Sequence, residues 1–247
     1  VSTMGEKKLL GIPKIAAGTG KIEAQAVYNA ICEWGVENLV RGMCFDTTSS
    51  NTGRLSGACI ILEQLLGRSL LHFGCRHHIM ELVLGVAFGA CMGSSKSPDV
   101  LIFKRFQGQW SSIDQESFSD AFSDDLSSRE LAHIRDEVIA FCEQQLQVNQ
   151  PRDDYLELLQ LMIIFLGGKS PQDTKFRAPG PMHQARWMAK AIYSIKVWLF
   201  RSQFKLTARE ANGLLRLNIF LAIIYVKFWF RAPVAAIAPR NDLQLLQ

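Results

Sequence analysis

Gly42-Met43-Cys44-Phe45-Asp46-Thr47-Thr48-Ser49-Ser50-Asn51-Thr52-Gly53 decides how the chain is read. The apolar run Leu39–Phe45 ends on one carboxylate, Asp46, and passes into small polar residues and glycine before an apolar helical pattern over Leu55–Leu66. This is the signature of a strand that delivers Asp46 to the end of a sheet, where a strand-to-helix loop commonly hosts a site. A second reading has Asp46 capping the turn that follows, as Asp, Thr, Ser and Asn routinely do. The local pattern supports both.

Working outward, Lys8–Ala16 has the residues of a strand interrupted by Pro13, which places it near a sheet edge or strand end. Gly18-Thr19-Gly20 breaks it, and Ile22–Val40 carries Ala24, Val27, Ile31 and Trp34 at helical spacing. A short strand over Leu70–Cys75 and a helix over His78–Cys91 follow. The order β-α-β-α-β-α predicts an α/β unit with a mostly parallel sheet in residues 1–95. Residues 96–128 form an acidic, serine-rich connector: Val100–Phe106 reads as a strand or extended segment, and Ser111–Ser128 as a solvated loop or short helices. Residues 129–247 read as a helical region, with helices over Arg129–Leu146, Asp153–Leu166, Met182–Phe200 and Thr207–Phe230 and an irregular proline-rich tail from Ala232 to Pro239.

The 247 residues suffice to bury a core, and a net charge of +4 permits a polyanionic partner without requiring one. The six cysteines stand in apolar contexts without CxxC pairs and read as reduced, in an intracellular compartment. The first residues lack the apolar core of a secretory signal. Leu217–Phe230 is shorter than the roughly 20 residues a membrane span needs, and Arg216, Lys227 and Arg231 punctuate it. It reads as a buried core helix, so no membrane partner is expected. Gly167-Gly168-Lys169-Ser170 is not a phosphate loop, because Ile163 stands where the motif needs glycine. No GxSxG occurs, which removes the elbow-type hydrolases.

Three further features carry chemistry. Cys75-Arg76-His77-His78 lies at a strand-to-helix junction, where a histidine could stand beside Asp46 or simply open the helix. His183-Gln184-Ala185-Arg186-Trp187 offers a guanidinium and a stacking plane, suited to a nucleic acid. Asp46 with Asn51, then Cys75 and His78 in a Cys-x-x-His, then Arg186-Trp187 in a helical region follow an order that resembles the hAT-type, transposon-derived DDE transposases. The resemblance implies a ribonuclease H-like sheet, N-terminally incomplete, over about residues 8–90, followed by a mainly helical insertion domain over 130–230.

It also implies a nuclear protein acting on DNA, with a homo-oligomer compatible with that role. In this family two aspartates and a glutamate hold two divalent cations, Mg²⁺ or Mn²⁺, that activate water or a 3′-hydroxyl against a phosphodiester. By resemblance Asp46 is the metal-binding catalytic aspartate, Asn51, Cys75 and His78 support the site, and Arg186 and Trp187 contact DNA. The strand at Leu9–Ala16 contains no Asp, and neither Glu210 nor Asp242 lies in an element returning to the sheet. The chain thus carries one of three catalytic carboxylates. The implied function is that of a fragment or inactive derivative of a strand-transfer enzyme, the alternative being a catalytically dead nuclear module that binds DNA or protein.

Overall fold

A computed structural model describes residues 2–3, 6–93, 100–169, 176–180, 187–232 and 238–246. In chain order the elements are β1 (Ser2–Thr3), β2 (Glu6–Lys7), α1 (Gly20–Glu33), β3 (Gly42–Phe45), α2 (Ser49–Thr52), α3 (Ala58–Leu66), β4 (Leu71–Gly74) and α4 (Arg76–Met92). Then follow α5 (Leu101–Gln109), α6 (Asp125–Leu131), α7 (Arg135–Leu146), α8 (Asp153–Phe165), α9 (Trp187–Leu199) and α10 (Ala208–Phe220). A π turn at Leu221–Tyr225 continues α10 directly into α11 (Val226–Phe230), and α12 (Ala238–Leu246) is the last element. The chain is mostly helical, with a small two-stranded parallel sheet, and divides into two compact units.

The first unit spans residues 1–79 and 232–242. Its centre is a β-α-β crossover: β3 pairs in parallel with β4 in the register Gly42↔Leu71 to Phe45↔Gly74, with α2 and α3 between. A crossover of this length is what parallel pairing requires. Met43 faces inward and meets Ala24 and Ile31 of α1 and Ala58, Cys59 and Leu62 of α3, a core of six buried apolar residues. Gly20 opens α1 hard against the loop after β3. A Cβ at this position would lie 2.2 Å from Ser56 O, 2.6 Å from Ser50 O and 2.8 Å from Ala58 N, all backbone atoms, so only glycine allows the approach. The expected strand over Lys8–Ala16 does not form among residues 8–16. Pro13 supplies no N–H, Leu9 and Ile12 are 72% and 85% exposed, and the segment is tied down by Trp34 Nε1 donating to Leu10 O at 2.9 Å.

The second unit spans residues 80–231 and 243–247 and holds a much larger apolar core. In α8, Leu158, Leu159 and Leu161–Phe165 are all buried, so the helix is apolar on every side over its second half. It packs between α7 and α9. The expected strand at Val100–Phe106 is instead helix α5. Ile102, Phe103 and Phe106 recur at helical spacing and are buried together, and this tertiary burial overrides the β preference of the aromatic residues. The expected helix over Arg129–Leu146 is two helices, α6 and α7. Asp124 starts the first by accepting from Leu126 N and Ser127 N. Asp120 caps a 3₁₀ turn at Ala121–Ser123 in the same way, so part of the acidic connector is spent on caps. The apolar run at the end is a core helix: α10 begins on a capping box between Thr207 and Glu210, and Leu214, Leu217, Leu221, Ala222, Tyr225 and Val226 are fully buried. The Ala208–Phe230 segment is long and apolar enough to cross a membrane, with 56% of its most apolar window buried inside the protein. Of the tail read as irregular, residues 233–237 lie outside the described residues and Ala238 onward is helical.

Candidate functional site

The carboxyl ends of β3 and β4 bring Asp46, Asn51, Cys75 and His78 into one corner of the first unit. Asp46 leaves β3 as an acceptor for its own loop. Its Oδ1 receives Thr48 N at 3.0 Å, Thr48 Oγ1 at 2.5 Å and Asn51 Nδ2 at 2.8 Å. The first of these is an Asx turn, which sets Thr48 as the residue preceding α2. The hydroxyl of Thr48 and the amide of Asn51 hold the Asp46 carboxyl below the usual range. Partial burial works against them, while the Thr48 backbone N–H and the charge of His78 add to the lowering. Asn51 O in turn approaches Gly57, where a Cβ would lie 2.7 Å away and only 2.4 Å from Gly53 N. The small polar run of the sequence is thus a tightly wound loop whose knot is Asp46.

Cys75 joins the corner through its backbone, with its N–H donating to Phe45 O at 2.7 Å and its carbonyl accepting from Ile79 N at 3.1 Å. Its thiol lies near Cys44, whose own thiol is raised by partial burial of the sulfur and then by Cys75. Arg76, at the start of α4, forms an ion pair with Asp242 of α12. The hydrogen-bonding threonine Thr48 was not singled out from sequence, and its signal was the Asp-x-Thr spacing.

Toward the two-metal centre that the resemblance implies, the sequence-expected residues of this corner supply one carboxylate, Asp46. A hard divalent cation gathers several oxygens. Here Oδ1 of Asp46 already accepts three hydrogen bonds, and among the described residues no group of three or more His, Cys, Asp and Glu could hold a metal ion. Of the expected DNA contacts, Arg186 lies outside the described residues, and Trp187 is the first residue of α9 in the second unit. Glu210, with no distinguishing context in the sequence, is spent on the α10 cap and on Arg105, which donates to it at 2.8 Å.

A polar cluster in the second unit had no sequence signal beyond a lysine inside an apolar helical run. Lys196 of α9 is 1% exposed, pairs with Glu157 of α8, and donates to Arg177 O at 2.7 Å. Burial pushes its ammonium below the ordinary lysine range against the opposing pull of Glu157. Tyr193 donates to Gly180 O at 3.0 Å, Gln107 to Pro179 O at 3.2 Å, and Arg177 pairs with Asp153 at 3.0 Å. These groups together pin residues 176–180 onto the helices. These contacts make the cluster a structural device.

No protein-family model, curated protein or solved structure matches the chain.

Proposed function

We propose that the chain is a transposase-derived module that binds DNA without metal-dependent strand cleavage or transfer. One observation carries the proposal: Asp46 stands where the resemblance puts a catalytic aspartate, yet its carboxylate is engaged by Thr48 and Asn51 as a loop former. On this reading the two parallel strands with their helices are what remains of a ribonuclease H-like sheet, and the strand-end corner persists for its shape. The net charge of +4 is compatible with an anionic partner such as DNA. A nuclear location follows from that role.

The test uses the full chain and duplex DNA. Fluorescence anisotropy is expected to show binding that weakens as salt rises, since phosphate neutralisation releases counterions. Supercoiled plasmid is expected to stay intact in Mg²⁺ or Mn²⁺. Metal-dependent nicking that disappears in Asp46→Ala would restore the enzyme reading, and absence of salt-dependent DNA binding would remove both.

A further inference from the structure

We propose that the free edge of β3 is a homodimer interface, on which a second copy of the chain pairs its own β3 antiparallel across a two-fold axis. Leu71 N donates to Arg41 O at 3.0 Å and Cys75 N to Phe45 O at 2.7 Å, so the odd-numbered carbonyls of β3 face β4. By the alternation of a parallel ladder, the N–H and C=O groups of Gly42 and Cys44 face the other way. Both residues are exposed, and among the described residues nothing pairs with those backbone groups. The opposite edge, on β4, is less open. Gly74 there is half-buried against Ile79 and Thr47, and the chain turns into α4 at once.

The occupant follows from the edge itself. A row of alternating donors and acceptors is complementary to another extended backbone, and a two-fold axis makes one such row complementary to itself. With the axis at Met43, Gly42 of one copy stands opposite Cys44 of the other. Both residues of each pair then exchange N–H···O bonds, and the side-chain-free Gly42 leaves room for the facing thiol. The strand is basic at its start, Arg41, and acidic at its end, Asp46, so antiparallel alignment carries opposite charges toward each other. The need is also physical. A two-stranded sheet is short of the usual about four to six strands. Pairing produces a four-stranded sheet, β4-β3-β3-β4.

Light scattering coupled to size exclusion over a concentration series is expected to give a monomer–dimer equilibrium. Cys44→Lys places like charges near each other across the axis at an exposed position, and is expected to raise the dissociation constant roughly tenfold or more while circular dichroism stays unchanged. Cys44→Ser leaves the edge intact and is expected to dimerise like the parent. In the dimer the Gly42 and Cys44 amides become protected from hydrogen exchange, and the protection is lost on dilution. A monomeric mass throughout the series, a dimer unaffected by Cys44→Lys, or a dimer whose Gly42 and Cys44 amides exchange freely would each overturn the proposal.

Discussion

Asn51 Nδ2 donates to Asp46 Oδ1 at 2.8 Å across five residues, and this bond closes the loop that joins β3 to α3. The same oxygen accepts two bonds from Thr48, so one carboxylate organises the first turn after the strand. Asp46→Ala removes all three bonds, and a cost of about 1–2 kcal/mol is expected after allowing for partial exposure. Urea unfolding followed by circular dichroism measures it.

Because the folded state holds the Asp46 carboxyl below its ordinary value, the contribution of this group is present above the unfolded pKa of roughly 3.9. It fades as pH falls through the lower folded value. Asp46→Asn is therefore expected to differ most from the parent near neutral pH and to converge with it in acid. A stability gap that stays constant down to low pH would contradict this account.

Gly20→Ala drives a Cβ into three backbone atoms, Ser56 O, Ser50 O and Ala58 N. Backbone cannot swing aside, and a loss of roughly 3 kcal/mol is expected, at the upper end of overpacking costs. Gly108→Ala is the contrasting case. It sits in α5 with nothing within 4 Å of an added Cβ, and a gain of about 0.5–1 kcal/mol is expected from helix propensity and a stiffer unfolded chain. Paired thermal melts of the two variants test whether the close approach, rather than glycine itself, matters.

Lys196 and Glu157 are partners whose separate removal leaves a buried charge. Lys196→Met or Glu157→Met alone is expected to cost about 3–5 kcal/mol, while the two changes combined recover most of the loss. The double-mutant cycle reports the coupling between them. If the double variant is as unstable as the sum of the two single changes, the pair is not an isolated unit.

The six cysteines are free, and they differ in reach. Cys32 and Cys44 are exposed, whereas Cys142 is buried and its thiol is pushed up to about 12 by desolvation and then by Glu143. Alkylation at neutral pH is expected to modify Cys32 early and Cys142 only on unfolding, as read by peptide mass spectrometry. Early modification of Cys142 would show that α7 opens locally.

The strand–loop–helix order from β3 to α4 was legible because each element carried its own punctuation. Asp46 ended a strand, the small polar run to Gly53 preceded the apolar helical pattern, and Cys75 stood between β4 and α4. The segment at 8–16 misled because its apolar residues have no sheet to face, and Leu9 and Ile12 remain in solvent. Val100–Phe106 misled for the opposite cause: a short apolar run does not distinguish a strand from a buried helix, and the packing of Phe103 and Phe106 decided it. For Asp46 the sequence left ligand and turn former open together. The choice lies in whether other carboxylates converge on it, a matter of distant residues that no local pattern contains.

The π turn at Leu221–Tyr225 has a consequence for how the final long helix tolerates changes in length. Val226 N–H reaches back five residues to Leu221 O, so the turn stores one residue more than an α-helix would hold there. Upstream, Leu214 and Leu217 are buried, and downstream so are Val226 and Trp229. Deleting Ile223 or Ile224, both only half-buried, returns the turn to α geometry and leaves both flanking sets on their present faces. The same deletion made anywhere else in the helix rotates everything beyond it by about 100° and turns Trp229 out of the core.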